Sequence, residues 1–219
     1  MICDEELRER IRGNLQRFEP VVAQVDDAHH AAVAITVTDV AFGADLPGLP
    51  RYARRQRLAG LILTRRSRAL RKHAGQWAFP GGRLDPGETP VATALREMHE
   101  EVAVQVDPDA VLGRLDDFVT RSGFVMTPVV VWGGPGLETT PNPAEVASVH
   151  RIPLTEFLRE DAPRLEPAPD SEHPILRMPV GRDHIAAPTA ALIYQFREVC
   201  LLGRSTRVAH FEQPRFAWR

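Results

Sequence analysis

The chain has little cysteine. Cys3 and Cys200 are its two, near opposite ends of 219 residues and without C-x-x-C spacing, so neither a disulfide framework nor a zinc site is supported and a reducing compartment is the simplest one. An excess of one charge is also lacking. Lys plus Arg is 27 and Asp plus Glu is 29, which gives no general field toward nucleic acid or a membrane surface, and neither is expected as a partner. No run approaches about 18 uncharged apolar residues, and the start, MICDEELRER, carries acids where an export signal would be basic and then apolar. A soluble, unexported, cytoplasmic protein is expected. G-x-S-x-G, the P-loop and a G-x-G-x-x-G after a strand are all missing, which argues against serine-hydrolase, kinase-type and dinucleotide-oxidoreductase chemistry.

What is present suffices for a buried core: 43% of the residues are hydrophobic, and the length fits one domain with a core over about 30–200, an N-terminal helix and a tail from 203. Leu7, Ile11, Leu15 and Phe18 recur at helical spacing, so 4–18 reads as an amphipathic helix with an acidic first turn. Residues 31–40 and 58–64 are β-branched and aliphatic runs, expected as strands joined by a loop too long for a tight hairpin. Pro90 marks the start of a helix over about 89–102. The run 124–132 reads as a strand in which Pro128 suggests an edge or a bulge. Ten of the 19 prolines fall in 135–188, so that stretch is expected as loops with one short helix near 154–159. A last helix is expected over 189–201. The aromatic alternation in the C-terminal HFEQPRFAWR suggests either a packed tail or an oligomer contact such as a homodimer's.

The most informative stretch is Gly82 to Val104, GRLDPGETPVATALREMHEEVAV. Glu97, Glu100 and Glu101 stand at i, i+3 and i+4, on one helix face, where like charges repel and the negative end of the helix dipole adds to the conflict. Taken alone, such a cluster is most often a solvated face. A hard divalent cation would instead convert the repulsion into coordination. Just upstream, no acid stands between Asp45 and Asp85, while Arg51, Arg54, Arg55, Arg57, Arg65, Arg66, Arg68, Arg71, Lys72 and Arg83 supply ten positive charges. That window is either a solvated basic surface or one that meets an anionic ligand.

With its flanks the acidic segment reads G-x5-E-x7-R-E-U-x-E-E-x-A-U, on Gly82, Glu88, Arg96, Glu97, Met98, Glu100, Glu101, Ala103 and Val104. It resembles the Nudix box, the signature of hydrolases of nucleoside diphosphates linked to another moiety, at eight of nine positions. The departure is Ala103, where the family expects glycine. Alanine in the left-handed conformation that ends many helices costs about 1 to 2 kcal/mol, so the helix is expected to end differently, one residue later.

The preceding residues 62–82, ILTRRSRALRKHAGQWAFPGG, resemble the motif of coenzyme A diphosphatases in that family. Leu63, Thr64, Arg66, Ser67, Arg71, Gly75, Phe79, Pro80, Gly81 and Gly82 match at the required spacing. Weaker likeness continues through Ser122-Gly123-Phe124, Thr127-Pro128 and Asn142-Pro143-x-Glu145-Val146. It frays at Ile185-Ala186-Ala187-Pro188, and the 41–56 insertion has no counterpart.

The resemblance implies an α/β fold of Nudix type, an α/β/α sandwich with a curved mixed sheet and a loop-helix catalytic element. It implies Mg²⁺ or Mn²⁺ held by Glu97 and Glu101, with Glu100 a ligand or proton acceptor. Arg96 would orient a glutamate and Glu88 would support the loop-to-helix junction, with Glu145 a candidate from outside the box. Arg66, Ser67, Arg71, Gly75, Phe79, Gly81 and Gly82 would meet the substrate. That substrate would be coenzyme A or an acyl derivative, cleaved at the pyrophosphate to 3′,5′-ADP and a 4′-phosphopantetheine product. Another nucleoside diphosphate derivative (ADP-ribose, NADH or a nucleoside triphosphate) is the alternative, and a non-hydrolysing nucleotide sensor a third. His73 could donate to a phosphate, and Trp77, Phe79 and Trp132 could stack on a purine or lie in the core.

Overall fold

The computed structural model describes residues 1–26, 28–169 and 171–214. Its elements in chain order are α1 (Glu5–Gln16), β1 (His29–Gly43), β2 (Arg51–Arg66), β3 (Trp77–Ala78), β4 (Gly81–Arg83), α2 (Pro90–Val102), β5 (Val111–Arg114), β6 (Phe118–Val119), β7 (Phe124–Gly134), β8 (Val146–Pro153), β9 (Arg164–Glu166), β10 (Ile175–Val180), β11 (Asp183–Ala186) and α3 (Thr189–Phe196). The first eight strands form one mixed sheet, in which β1 pairs parallel with β7 and antiparallel with β2, and β9–β11 form a second, antiparallel one.

β1 lies at the centre of the main sheet, and its period-2 alternation buries both faces. Ala32 and Ala34 pack with Val129, Val131, Ala94, Met98 and Val102 on the α2 side. Val33, Ile35 and Val37 belong to the larger core that also holds Leu7 and Ile11 of α1 and Leu192, Ile193 and Phe196 of α3. The expected α/β/α sandwich therefore forms, with small residues where α2 approaches closely and larger ones opposite.

Two strands of this sheet diverge and make the site. β2 pairs β1 only from Val37↔Leu61 outward to Gly43↔Arg51. The wedge beyond is filled by one segment, whose Trp77-Ala78 pairs with β2 and whose Gly81–Arg83 pairs with β1. Between them Pro80 accepts from the Ala34 N–H at 2.8 Å. Gly81 is required here, since a β-carbon would lie 2.4 Å from the Ala32 carbonyl oxygen.

Several expectations are corrected. The 41–56 insertion is mostly strand: β1 and β2 run on to Gly43 and Arg51, leaving residues 44–50 as the connection. Buried Asp39 ties these arms down, taking a two-bond fork from Arg55 at 2.9 Å each, a 3.1 Å bond from Arg151 and the Gly136 N–H at 2.8 Å. The strand holding Pro128 is interior rather than an edge. The proline sits in the gap between β5 and β6, where its carbonyl accepts from Leu115. The proline-rich 135–188 stretch holds β8–β11 besides a 3₁₀ turn over Leu154–Leu158, because its prolines fall at strand ends and between strands, except Pro179, which pairs with His184 within β10. The last helix is α-helical to Phe196 and widens into a π turn over Arg197–Leu201.

α2 ends after Val102, and Ala103 itself adopts the left-handed conformation, φ 56° and ψ 29°, where an ending one residue later was expected. The reason lies in the last turn's carbonyls. Glu101 O accepts from Asn142 N–H at 2.8 Å and Val102 O from Thr140 N–H at 2.9 Å, so the following loop satisfies them only if the chain turns away at 103. Of the C-terminal aromatic segment, 215–219 lie outside the described residues. His210–Pro214 pack against the domain, with Phe211 buried. No helix among the described residues is long and apolar enough to cross a membrane.

Candidate active site

α2 is launched by Thr89, whose hydroxyl accepts from the Ala92 N–H at 3.2 Å, with Pro90 in the first turn. Glu88 braces the approach. Its carboxylate accepts from the Asp85 N–H, the Thr93 hydroxyl and both Nε and Nη2 of Arg96, the last two at 2.9 Å. The hydrogen bonds from Arg96 lead in holding the Glu88 carboxyl down at about 2. Arg96 also reaches Glu97 at 2.7 Å, Glu100 at 3.1 Å and the Arg83 carbonyl at 3.1 Å. One guanidinium thus fixes the loop, the helix and the Glu97 side chain together.

The helix face predicted to carry three carboxylates divides by burial. Glu101 is buried, Glu97 is largely covered, and the Glu100 side chain is 49% exposed, with Arg96 as its partner. Glu145 joins the inner two: carboxylate oxygens of Glu97, Glu101 and Glu145 lie within 4.8 Å of one another. Backbone bonds put Glu145 there. Its loop is hung from the end of α2 by the Asn142 N–H on Glu101 O, and from the end of β2 by the Ser67 N–H, which donates to Glu145 O at 2.7 Å.

Burial pushes the Glu101 carboxyl up to about 8, and the neighbouring Glu97 and Glu145 charges add to this against the opposing pull of Arg66 and the Gly81 N–H. Burial also raises Glu97, against Arg96. Crowded, desolvated carboxylates offering only oxygen suit a hard divalent cation of the Mg²⁺ or Mn²⁺ kind.

These groups sit in a cavity of about 390 Å³. Arg66 enters it from the end of β2, its Nη1 3.9 Å from Glu101 Oε1. Arg66 Nε is buried with no hydrogen-bond partner. Phe79, Gly81, Gly82 and His73 also line the cavity, and burial together with Arg66 keeps the His73 pKa low. Of the other sequence candidates, Gly75 lines a smaller neighbouring cavity of about 170 Å³. Ser67 is buried and spends its N–H on the Glu145 loop, and Arg71 is exposed; neither lines either of these two cavities. Trp77 borders both cavities, but Arg65 lies 3.9 Å over its ring and His150 packs edge-on. Trp132 is core, and His99 is exposed on another face of α2.

Sequence reasoning missed the far wall. Arg83, 4.9 Å over the Phe124 ring, lines the cavity together with Thr120, Ser122, Thr189 and Gln213. Arg83 was marked only as one charge of the basic window, Ser122 and Phe124 carried a weak signal through the Ser-Gly-Phe likeness, and Gln213 carried none.

The chain is similar to known proteins in sequence and in fold. The uncharacterized Nudix hydrolase NudL of Photorhabdus laumondii is 50% identical over 99 residues, covering 45% of this chain and 53% of that protein. Its namesake in Yersinia enterocolitica is 49% identical over 100 residues, covering 45% and 51%. The chain thus spans about half the length of the curated relatives it matches. Among solved structures, a MutT/nudix family protein from Enterococcus faecalis superposes with a TM-score of 0.52 at 15% identity, covering 88% of this chain and 69% of that one, which speaks to the fold alone. The NUDIX domain family profile matches residues 48–171, more than half of the sequence and inclusive of the whole carboxylate cluster, and the chain belongs to the NUDIX family.

Proposed function

We propose that the protein hydrolyses the pyrophosphate of coenzyme A or an acyl-coenzyme A, giving 3′,5′-ADP and (acyl-)4′-phosphopantetheine. Glu97, Glu101 and Glu145 would hold the Mg²⁺ or Mn²⁺. When bound, such an ion neutralises phosphate oxygens and lowers the pKa of water. Arg96 keeps Glu97 aimed inward, Arg66 supplies a charge-assisted donor to the diphosphate, and Gly81 and Gly82 line the cavity, their missing side chains leaving room for the Ala32 carbonyl and the Glu97 carboxylate. Glu100, exposed beside Arg96, is a proton acceptor at the rim rather than an inner ligand. The observation that carries the reading is the position of Arg66. The arginine of the coenzyme A-type motif stands at the buried carboxylates, in the same cavity.

One observation favours a second reading, hydrolysis of another nucleoside diphosphate derivative such as ADP-ribose or NADH: Arg71, the motif's other arginine, is exposed and lines neither cavity. A substrate panel with Mg²⁺ and with Mn²⁺, read by product identification, separates the two. Release of 3′,5′-ADP from coenzyme A is expected; cleavage of ADP-ribose or NADH with coenzyme A left intact would replace the first reading by the second.

A further inference from the structure

We infer that the C-terminal segment 211–214, beyond the region shared with the family, completes the catalytic cavity through Gln213, and that Glu212 and Gln213 are positioning residues for the nucleoside end of the substrate. The inference rests on reading the cavity as a nucleotide site.

Gln213 is buried and lines the cavity. Its Oε1 accepts from the Arg121 N–H at 3.2 Å, and its Nε2 donates to the Val119 carbonyl at 3.3 Å. Glu212 takes the Arg121 guanidinium in a two-bond fork, Nε to Oε2 at 3.2 Å and Nη2 to Oε1 at 2.5 Å. The segment is itself anchored by the Glu212 N–H, which donates to Pro174 O at 3.0 Å beside the Ile175 end of β10.

What the clamp grips is the turn between β6 and β7. β6 pairs with β7 through two residue pairs, Phe118↔Met126 and Val119↔Val125, and the tip is closed by the Thr120 N–H on Phe124 O at 2.8 Å and the Phe124 N–H on the Thr120 hydroxyl at 3.0 Å, so the clamp adds to a short ladder. Inside the turn Thr120 and Ser122 hydroxyls stand 3.0 Å apart, and both residues line the cavity.

The chemistry of this arm differs from that of the carboxylate end. Its walls are Ala31, Val33, Phe124 and Met126, with the Arg83 guanidinium over Phe124 and neutral hydroxyls at the rim. A flat cationic face beside apolar surface and uncharged hydrogen-bonding groups suits a nucleobase rather than a second phosphate. Across the sheet the order β4–β1–β7–β6 sets the turn two to three strand spacings, ~10–14 Å, from the strand beside Glu97. That is about the reach of a nucleoside attached to its phosphate.

The test uses two uncleavable probes with Mg²⁺, α,β-methylene-ADP and methylenediphosphonate, titrated calorimetrically into the full chain and into Gln213→Ala and Arg121→Ala. Affinity for the nucleotide should fall about tenfold in each variant while that for methylenediphosphonate stays within about twofold. Equal losses for both probes, no loss for either, or failure of the parent chain to bind the nucleotide would overturn the inference. Should Arg121→Ala fail to fold, Gln213→Asn, which shortens the amide's reach without removing it, is judged by the same two probes. Selective nucleotide loss in a chain that leaves coenzyme A intact would uphold the clamp and defeat the coenzyme A reading.

Discussion

A β-carbon placed on Gly82 would lie 2.2 Å from Oε1 of Glu97. The glycine ahead of the acidic helix therefore holds room for a carboxylate. Gly82→Ala should push the Glu97 side chain, the flexible partner, away from Glu101 and Glu145 while β4 stays paired with β1. A displacement of about 1 Å at such a site costs about 100-fold in rate. Turnover and Mn²⁺ affinity should both drop, with the thermal unfolding midpoint nearly unchanged. Full activity in the alanine variant would show that Glu97 works from another position.

Glu100, Glu101 and Glu145 should not be equivalent. Glu101→Gln and Glu145→Gln each take one oxygen ligand from the buried cluster, whereas Glu100→Gln alters a side chain at the rim. Mn²⁺ titrations followed by electron paramagnetic resonance should show affinity lowered by more than about tenfold for the first two and little changed for the third. Glu101→Gln should also abolish turnover with the fold intact. Equal metal loss in Glu100→Gln would return that residue to the coordination sphere.

Metal binding should be strongly pH-dependent, through Glu101. Without metal, burial holds its proton up to about pH 8, and a cation must displace that proton. Apparent Mn²⁺ affinity should therefore rise about tenfold per pH unit between 6 and 8 and flatten above. For folding the sign is opposite. A carboxyl with a raised folded-state pKa contributes stability that is fully present below the unfolded value near 4.5 and is lost as pH rises through 8. The metal-free protein should then be less stable at pH 8 than at pH 6, and Mn²⁺ should raise its unfolding temperature more at pH 8. Glu101→Gln should remove both trends.

The fold's layers and the carboxylate helix were legible in the sequence because each rests on local periodicity. The apolar spacing of Leu7, Ile11 and Leu15, the alternation of 31–40, and the Thr89-Pro90 start all act within a few residues. What was illegible is set by long-range hydrogen bonds. Nothing near Glu145 announces that Ser67 and Glu101 will suspend its loop over the helix, although its place in the Asn-Pro-x-Glu-Val run marked it as a candidate. The strands β8–β11 were hidden because prolines lower strand propensity without forbidding strand ends. Arg71 shares with Arg66 a motif and a charge, yet it follows the end of β2 and faces solvent, a distinction that composition does not carry. Gln213 reaches the cavity only because the chain's last described residues return to the β6–β7 turn.

Ala103 offers a test in which stability and function separate. Its φ of 56° is left-handed, and its N–H bonds His99 O at 2.9 Å, closing the helix as a glycine would. Alanine there costs about 1 to 2 kcal/mol, while glycine would forfeit about 0.4 to 1 kcal/mol through the entropy of the unfolded chain. Ala103→Gly should thus be stabilising by about 0.5 to 1 kcal/mol, visible as a rise of about 1 to 4 °C in the unfolding midpoint of a chain this size. The Glu101 and Val102 carbonyls already meet Asn142 and Thr140 with alanine in place, so the glutamates have nothing to gain and turnover should be unchanged. A destabilised variant would mean that the methyl group's packing outweighs the backbone strain. A faster one would mean that the alanine bends the helix end enough to misplace Glu101.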